Sequence, residues 1–460
     1  MGKVYSLVLS FVLIASLMAG CGGETPTASS APEVSPSPSV ETPVPSESPA
    51  VIDPVDYAGS VKLNMSSGTA KQEVTVKSFI DGDTTHFYVP NHVMETGVFK
   101  ARYLAINTPE STGKIEEYGK AASRFTREKL SQATSIILES ETSGWNADST
   151  GGRYLVWVWY KTADMTDYRN LNIEILQNGL AIANSAANNQ YGSACTAAID
   201  QARAQKLNIH SGQPDPDFYY GDAIELTLKE LRTNIESYNG MKVAFHGIIS
   251  ANSGTQGVYI EDHDEETGLY YGMYIYYGHG LTGAGLDVLT VGNEARIVGT
   301  VQYYEGGGTW QVSDLTYRLM KPDDPGNVQK LSSGHSAAYV VTDPDTFVNG
   351  WVPIEGEDRI EPYAKLALGT SLEMQNLRVV DIYTTTNEES SSKGAMTLTC
   401  RAEDGTTVTV RTAVLLDENN KLITEDAYDG KNITVKGIID YFDGSYQIKV
   451  FSAKNITVNE

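Results

Sequence analysis

The stretch that decides the fold is RYLAINTPE at residues 102–110, which follows the shorter stretch IDGDT at residues 80–84. The residues on either side of IDGDT, 74–80 and 86–89, are rich in valine, isoleucine and aromatic residues, as β-strands are. IDGDT itself contains the aspartates and the glycine of a tight turn. A third strand is predicted over residues 99–106, where the chain runs into the proline of RYLAINTPE. The pattern therefore predicts three consecutive strands.

The segments that follow complete a small domain. The spacing of apolar residues predicts helices over residues 119–133, 171–180 and 196–206. Further strands are predicted at 136–138 and 154–159. Five short strands with three helices indicate a small closed barrel with helices packed against it, which is an α+β unit.

Six short motifs occur in the order and at the spacing of one known family. They are IDGDT at 80–84, RYLAINTPE at 102–110, YG at 118–119, GRYL at 152–155, the segment 172–181, and AQKLNIHS at 204–211. Over this part of the chain the sequence resembles the staphylococcal nuclease family. The resemblance implies an OB-type five-stranded barrel with three helices, and it implies a nuclease that hydrolyses DNA, RNA or both.

The resemblance also implies a calcium site. The position of Asp83 ligates calcium in the family, and the side chain of Asn107 and the main-chain carbonyl of Thr108 would add oxygen ligands. Hard oxygen donors of this kind suit Ca²⁺. Residue 107 is an aspartate in the staphylococcal enzyme. Because the amide of Asn107 carries no charge, we expect the affinity for calcium to be lower here.

Cleavage of a phosphodiester requires an activated water molecule and neutralisation of charge on the transition state. The resemblance assigns the general base to Glu110 and the binding of the phosphate to Arg102 and Arg153. Guanidinium groups suit this role because each binds two phosphate oxygens at once. The family releases a 5′-hydroxyl and a 3′-phosphate, so the same polarity of cleavage is expected.

Each of these residues also has a purely structural interpretation. Asp83 can shape a turn, Arg102 can be a surface strand residue, and Glu110 can be a solvated loop acid. Two further departures from the family bear on activity: residues 148–153 (DSTGGR) lack a tyrosine before the arginine, and residues 184–188 (NSAAN) replace the tyrosines that flank the base. The alternative function is a catalytically weakened surface module that binds nucleic acid or protein.

The first 20 residues read as a targeting signal, with Lys3 before an apolar run at 7–18. The run ends in LMAGCG at 17–22, which resembles the lipobox of bacterial lipoproteins. This implies a signal peptide over 1–20 and a lipidated Cys21 that anchors an extracytoplasmic protein to the bacterial cell membrane. The alternative is a plain secretory signal that ends by chance in a cysteine. Residues 21–65 are rich in proline and serine and are predicted to be a linker.

The second half of the chain contains a divergent repeat. Pairs of glycines seven residues apart, each bracketing a valine-containing strand, occur at 240/247, 292/299 and 430/437. An aromatic turn follows the last two pairs, YYEG at 303–306 and YFDG at 441–444. The pattern predicts two OB-like β-barrels after the nuclease domain, and a mainly β, multidomain chain.

The predicted boundaries are a nuclease-like domain at 66–215, an OB-like barrel at 220–325, a linker at 326–365 and a second OB-like barrel at 366–460.

The formal net charge is −24, from 34 basic and 58 acidic residues, which argues against a general basic coat for nucleic acid. Residues 70–212 are nearly neutral, with 14 basic and 15 acidic residues, whereas residues 213–460 carry 18 and 37. The tyrosines of the first OB-like barrel favour stacking with single strands, but its acidity favours a scaffold, a spacer or a contact with a protein partner. The sequence leaves both interpretations open.

Three cysteines in 460 residues exclude a disulfide-dense scaffold, and Cys195 and Cys400 are expected to be free thiols because they fall in different predicted domains. The seven histidines have no metal-ligand spacing. After residue 23, no window approaches the ~20 apolar residues of a membrane span.

Overall fold

Three closed β-barrels carry most of the chain. A computed structural model describes residues 53–185, 188–254, 256–387 and 390–459. The predicted signal peptide and Cys21 lie outside these residues. Strands account for 37% of the residues and helices for 18%, which confirms the prediction of a mainly β, multidomain protein.

The first barrel closes in the strand order β1-β2-β3-β6-β5-β1, in which only β3 and β6 run parallel. Large buried side chains cover both faces of its sheet: Phe87 and Phe99 lie on one face, and Trp157 and Trp159 lie on the other, where both contact the ring of Tyr191. The predicted α+β barrel is confirmed. Its elements are α1 (Tyr57–Ser60), β1 (Lys71–Phe79), β2 (Thr84–Tyr88), β3 (Val98–Tyr103), β4 (Ile106–Asn107), α2 (Gly119–Ser131), β5 (Ser135–Glu139), β6 (Tyr154–Lys161), β7 (Arg169–Asn170), α3 (Leu171–Gln177), β8 (Ile182–Ala183) and α4 (Gly192–Ala204).

The three predicted helices correspond to α2, α3 and α4, with shifted ends. Helix α3 begins at Leu171, and the side chain of Asn170, the N-cap residue, accepts a hydrogen bond from the backbone N–H of Ile173. It ends before residue 180 because Gly179, at φ +64°, turns the chain out of the helix. Helix α4 begins at Gly192, four residues before the predicted start at 196.

Residues just before the first barrel pack onto its helices. The backbone N–H groups of Tyr57 and Ala58, in α1, both donate to the side-chain oxygen of Gln177. Asp56 pairs with Arg169 at 2.6 Å. The last part of the segment predicted as a linker, 21–65, therefore contacts the helices and β7 beside the first barrel.

The second and third barrels repeat the strand order of the first. The second closes as β10-β11-β12-β14-β13-β10 and the third as β19-β20-β21-β23-β22-β19, with one parallel pair in each ring. Their elements are β9 (Ile224–Glu225), α5 (Leu228–Thr233), β10 (Lys242–Asn252), β11 (Gly257–Asp264), β12 (Leu269–Tyr276), α6 (Ala284–Val288), β13 (Asn293–Tyr304), β14 (Thr309–Ser313), β15 (Gln329–Ser333), β16 (Val340–Val341), α7 (Pro344–Asn349), β17 (Trp351–Pro353), β18 (Ile360–Pro362), α8 (Tyr363–Leu366), β19 (Ser371–Thr384), β20 (Met396–Arg401), β21 (Thr407–Thr412), β22 (Asn432–Phe442), β23 (Ser445–Val450) and β24 (Ile456–Val458).

The glycine pairs of the repeat have a physical cause. The first glycine of each pair, as at Gly292 with φ +88°, has a backbone conformation that residues with a side chain rarely adopt. The second lies in a strand where a Cβ atom would press on a neighbouring carbonyl oxygen. At Gly299 that Cβ would be 2.6 Å from the oxygen of Ser313, and at Gly437 it would be 2.8 Å from that of Lys449.

Hydrogen bonds of a buried carboxylate join the second and third barrels. Glu261, on β11, is 1% exposed and accepts from the backbone N–H of Ala338 at 2.8 Å. It also accepts from the backbone and the hydroxyl of Ser371, at the start of β19. The segment predicted as a linker, 326–365, contains β15 to β18, α7 and most of α8. Among the described helices, none is both long and apolar enough to cross a membrane.

Candidate active site

The turn IDGDT connects β1 to β2 and is packed tightly against α2. The side chain of Asp81 accepts the backbone N–H of Asp83 at 3.1 Å, which closes the turn. A Cβ atom on Gly82 would lie 2.8 Å from that of Ala122 and 2.9 Å from the side chain of Thr108, so only glycine fits. The hydroxyl of Thr126, on α2, donates to the carbonyl of Gly82. The turn is thereby fixed at the end of the barrel.

Asp83 and Arg102 form the centre of the site. Asp83 is fully buried, and its Oδ1 pairs with the guanidinium of Arg102. The second Asp83 oxygen, Oδ2, accepts the backbone N–H of Thr108 at 2.9 Å. The guanidinium of Arg102, which is 14% exposed, also donates through Nη2 to the side-chain oxygen of Asn107. Four of the predicted site residues are thus joined by direct contacts.

Glu110 lies in the loop that follows. Its backbone N–H donates to the carboxylate of Glu116 at 3.2 Å, and its carbonyl accepts the backbone N–H of Glu116 at 2.9 Å. A Cβ atom on Gly119 would lie 2.1 Å from the carbonyl oxygen of Glu110, so the YG motif lets the loop approach α2. These contacts fix the backbone and leave the Glu110 side chain exposed.

Arg153, just before β6, is held by an acid that the sequence analysis did not select. Its Nε pairs with Asp148 at 2.8 Å, and its side chain is 33% exposed. Burial raises the pKa of Asp148, but hydrogen bonds from Thr150 and Arg153 outweigh it, so the pKa lies below its usual value. The only signal in the sequence was an acid five residues before the arginine in a glycine-containing segment.

The electrostatics of Glu110 connect it to both arginines. Partial burial and the nearby Asp81 raise the pKa of Glu110, and Arg102 and Arg153 act in the opposite direction. Burial, together with repulsion from Asp81, raises the pKa of Asp83 to about 8, although Arg102 opposes this. Arg102 therefore lowers the pKa of both carboxyl groups, and Arg153 lowers that of Glu110, at the same end of the barrel.

The second barrel holds the loop that carries Glu110, which the sequence analysis did not foresee. The backbone N–H of Gly113 donates to the side-chain oxygen of Gln302 at 3.1 Å. The carbonyl of Gly113 accepts from the amide of Gln302 at 3.0 Å and from the hydroxyl of Ser313 at 2.9 Å. Gln302 and Ser313 lie on β13 and β14, so three hydrogen bonds fix the loop of Glu110 to the neighbouring barrel.

The oxygen atoms predicted to bind calcium are of the type that suits a hard divalent cation, and one of the three, from Asp83, belongs to a group that can carry a charge. Asp83 offers a carboxylate, Asn107 an amide oxygen and Thr108 a carbonyl, which are the donor types that Ca²⁺ takes. In the described part of the chain, no group of three or more His, Cys, Asp and Glu side chains is placed to hold a metal. Arg102 contacts both Asp83 and Asn107, so a cation bound there would compete with its guanidinium.

A comparison with protein-family models matches residues 100–212 to the family described as staphylococcal nuclease homologue. The matched range contains Arg102, Glu110 and Arg153, and it begins after the IDGDT turn. No curated protein matches the chain. The match, the closed barrel and the clustered side chains agree with one another, and residues 100–212 carry a domain of the staphylococcal nuclease family.

Proposed function

We propose that this protein is a calcium-dependent nuclease that hydrolyses phosphodiester bonds of DNA, RNA or both. The observation that carries the proposal is the contact of Arg102 with Asp83 and Asn107, beside a carboxylate, Glu110, that both arginines influence. Hydrolysis requires at least two kinds of group: positive groups that bind the phosphate, and a carboxylate that accepts a proton from water.

In the proposed mechanism, the guanidinium groups of Arg102 and Arg153 bind the phosphate and neutralise charge as the attacked phosphorus gains a fifth oxygen. Glu110 accepts a proton from the attacking water, and its exposed side chain is accessible to that water. The new bond joins the water oxygen to phosphorus, and the bond from phosphorus to the 5′ oxygen breaks. The departing 5′ oxygen takes a proton from solvent, and Glu110 returns to solvent the proton that it accepted. The products would be a 3′-phosphate and a 5′-hydroxyl.

Asp83, Asn107 and the carbonyl of Thr108 would hold the calcium ion, which supplies charge neutralisation at the phosphate when it is bound. Arg102 would then turn from the acid and the amide towards the substrate. Its contacts with both groups keep the guanidinium in place when no substrate is present.

The test is cleavage of defined single- and double-stranded DNA and RNA by the purified protein, with Ca²⁺ or with a chelator. Glu110→Gln should lower kcat/KM by about 10²–10⁴-fold, the usual contribution of a general base. Glu128→Gln is the matched control, because Glu128 is an exposed acid on α2 outside the proposed site. Cleavage that is unchanged by Glu110→Gln would refute the assignment of the base.

A second candidate function is binding without efficient cleavage. The observation that favours it is the substitution of the family's aspartate by Asn107, whose oxygen is engaged by Arg102. Calcium-independent binding of an oligonucleotide by a protein that leaves it intact in the same assay would support this alternative.

We also propose that the protein acts at the bacterial cell surface through a lipid on Cys21. The support is the LMAGCG stretch at 17–22 and the proline-rich segment that follows. Cys21→Ser should abolish incorporation of labelled fatty acid and release the protein from the membrane fraction. A protein that stays in the membrane fraction without label would contradict the lipid anchor.

A further inference from the structure

A groove lies between the second and third barrels, beside the loop of Glu110. Two adjoining cavities of about 610 Å³ and 540 Å³ form it, and Arg232, Trp310, Leu368 and Tyr441 line both. The larger cavity is also lined by Thr112 and Gly113, which follow Glu110 closely in the chain. The larger cavity therefore reaches the loop that carries Glu110.

Both aromatic turns of the repeat meet in this groove. Tyr304, from the turn at 303–306, and Tyr441 and Phe442, from the turn at 441–444, line the larger cavity. A Cβ atom on Gly308 would lie 3.7 Å from the ring of Tyr441, so the two turns are in contact range. Phe442 is 62% exposed and Tyr304 43% exposed. Aromatic faces that stay accessible at the wall of a cavity can stack with flat ligands.

Arg232, on α5, is a buried arginine in the wall of the groove. Its side chain is 6% exposed, and it donates to the carbonyl of Lys365 at 3.2 Å. Among the described residues, its buried Nε has no hydrogen-bond partner and no carboxylate pairs with its guanidinium. Burial lowers its pKa to about 10. A buried charge without a counter-ion is costly to the fold, which calls for a ligand.

Two arginines of α2 differ from Arg232. Arg124 pairs with Asp217 at 2.6 Å, and Arg127 pairs with Glu305, in the first aromatic turn. Their charges are balanced within the protein. The charge of Arg232 is available to an anion that enters the groove.

We propose that this groove binds a short stretch of single-stranded nucleic acid, with one phosphate on Arg232 and bases stacked on Trp310 and Tyr441. The choice of nucleic acid rests on the proposed function, because the groove reaches the loop that carries the proposed base, Glu110. An unpaired guanidinium matches a phosphate, and the aromatic faces match bases of any sequence.

The acidity of residues 213–460 limits the site to a local contact. With 37 acidic and 18 basic residues, this region repels a long polyanion. Stacking and one phosphate contact then carry the binding. Replacing Arg232 should lower the slope of log K against log salt by about 0.7, the value for one phosphate contact on a single strand.

The experiment measures fluorescence anisotropy of a labelled twelve-nucleotide thymidine oligomer. The full protein carries Glu110→Gln and the buffer contains a chelator, so that no cleavage occurs. Arg232→Met should weaken binding at least about tenfold, and Trp310→Ala should weaken it about five- to a hundredfold, the range for one stacked base. The matched controls are Arg296→Met and Trp351→Ala, which lie outside both cavities and should stay within twofold.

Trp310→Ala keeps the proposal falsifiable if Arg232→Met fails to fold, which circular dichroism would reveal. Unchanged binding in folded variants at both positions would overturn the groove site. Equal competition by inorganic polyphosphate would also overturn it, because charge alone would then explain binding. Cleavage by the wild-type protein is scored separately: a protein that cleaves but shows no effect of Arg232 refutes the groove alone, and one that binds through Arg232 without cleaving refutes the nuclease alone.

Discussion

The first and second barrels share one strand order and use arginine in opposite ways. In the first barrel, Arg102 contacts a buried carboxylate and an amide at the barrel end, in a region of nearly zero net charge. Beside the second barrel, in a strongly acidic region, Arg232 is buried and pairs with no carboxylate of the described residues. The comparison teaches that the barrel fixes positions, and that the local set of charges decides which ligand each position can take.

The largest expected effect tests whether cleavage belongs to the first barrel alone. Arg102→Met should lower kcat/KM by about 10²–10³-fold, as removal of one transition-state donor does. Arg296→Met, which removes an arginine from the second barrel, should leave cleavage within twofold. Steady-state kinetics on a single-stranded substrate with calcium measures both. Equal losses in the two variants would break the proposed division between the barrels.

The next effect concerns Glu261, a carboxylate that is buried in the second barrel as Asp83 is in the first. Glu261→Gln should lower the free energy of unfolding by about 2 kcal/mol, because an amide cannot accept all the hydrogen bonds that Glu261 accepts. Urea unfolding at pH 7 measures the loss, and Glu265→Gln, at an exposed neighbour, is the control. An unchanged midpoint would show that Glu261 does not join the two barrels.

The same variant has a defined dependence on pH. Burial raises the pKa of Glu261, and the N–H and hydroxyl donors of Ala338 and Ser371 oppose this only in part. In the unfolded chain the pKa of this glutamate is about 4.3. The folded protein therefore binds a proton on Glu261 more tightly than the unfolded chain does. Relative to Glu261→Gln, the wild-type protein should gain stability as the pH falls through the folded pKa, and the gain should level off below the unfolded pKa.

A third prediction concerns the metal site of the first barrel. Asn107→Asp adds a second carboxylate to the donor set and should tighten calcium binding by about tenfold, since calcium affinity follows ligand charge. Isothermal titration calorimetry with Ca²⁺ measures the change. Asn64→Asp is the control, because Asn64 is exposed and its oxygen accepts a hydrogen bond that aspartate can also accept. Equal affinities for wild type and Asn107→Asp would remove residue 107 from the proposed ligands.

The smallest effect concerns the attachment of α1 to the first barrel. Asp56→Asn should cost about 0.5 kcal/mol, because the pair with Arg169 is partly exposed. The hydrogen bond from Arg169 lowers the pKa of Asp56. The difference in the free energy of unfolding between variant and wild type is therefore present above the usual pKa of an aspartate. It disappears as the pH falls through the lowered pKa of Asp56. Thermal unfolding at a series of pH values follows it, and a constant difference would contradict the charge-based explanation.

Much of the fold could be predicted from local patterns. The strands around IDGDT and the helices over residues 119–133 and 171–180 follow from residue spacing within short windows, and the structure contains them. The repeated glycines also predicted strands, because each needs a conformation or a close approach that only glycine allows. Helix ends were less accurate, since caps such as Asn170 depend on one side chain.

The candidate site could be predicted only in part. The resemblance in motif spacing predicted that Asp83, Arg102 and Thr108 share one site, and in the structure Asp83 contacts both of the others. The partner of Arg153, the contact of Arg102 with Asn107 and the isolation of Arg232 depend on side-chain directions that spacing does not encode. The groove depends on residues more than a hundred positions apart, which no short window contains.

Through the three hydrogen bonds on Gly113, the second barrel helps to order the loop that carries Glu110. The first barrel, cut out of this protein, would keep every group proposed for chemistry and would lose an external constraint on the position of the proposed base, Glu110. Heat, ligands or substitutions that disturb Gln302 and Ser313 would then change turnover from outside the first barrel. Evolution could adjust the rate of such an enzyme by altering a neighbour that performs no chemistry.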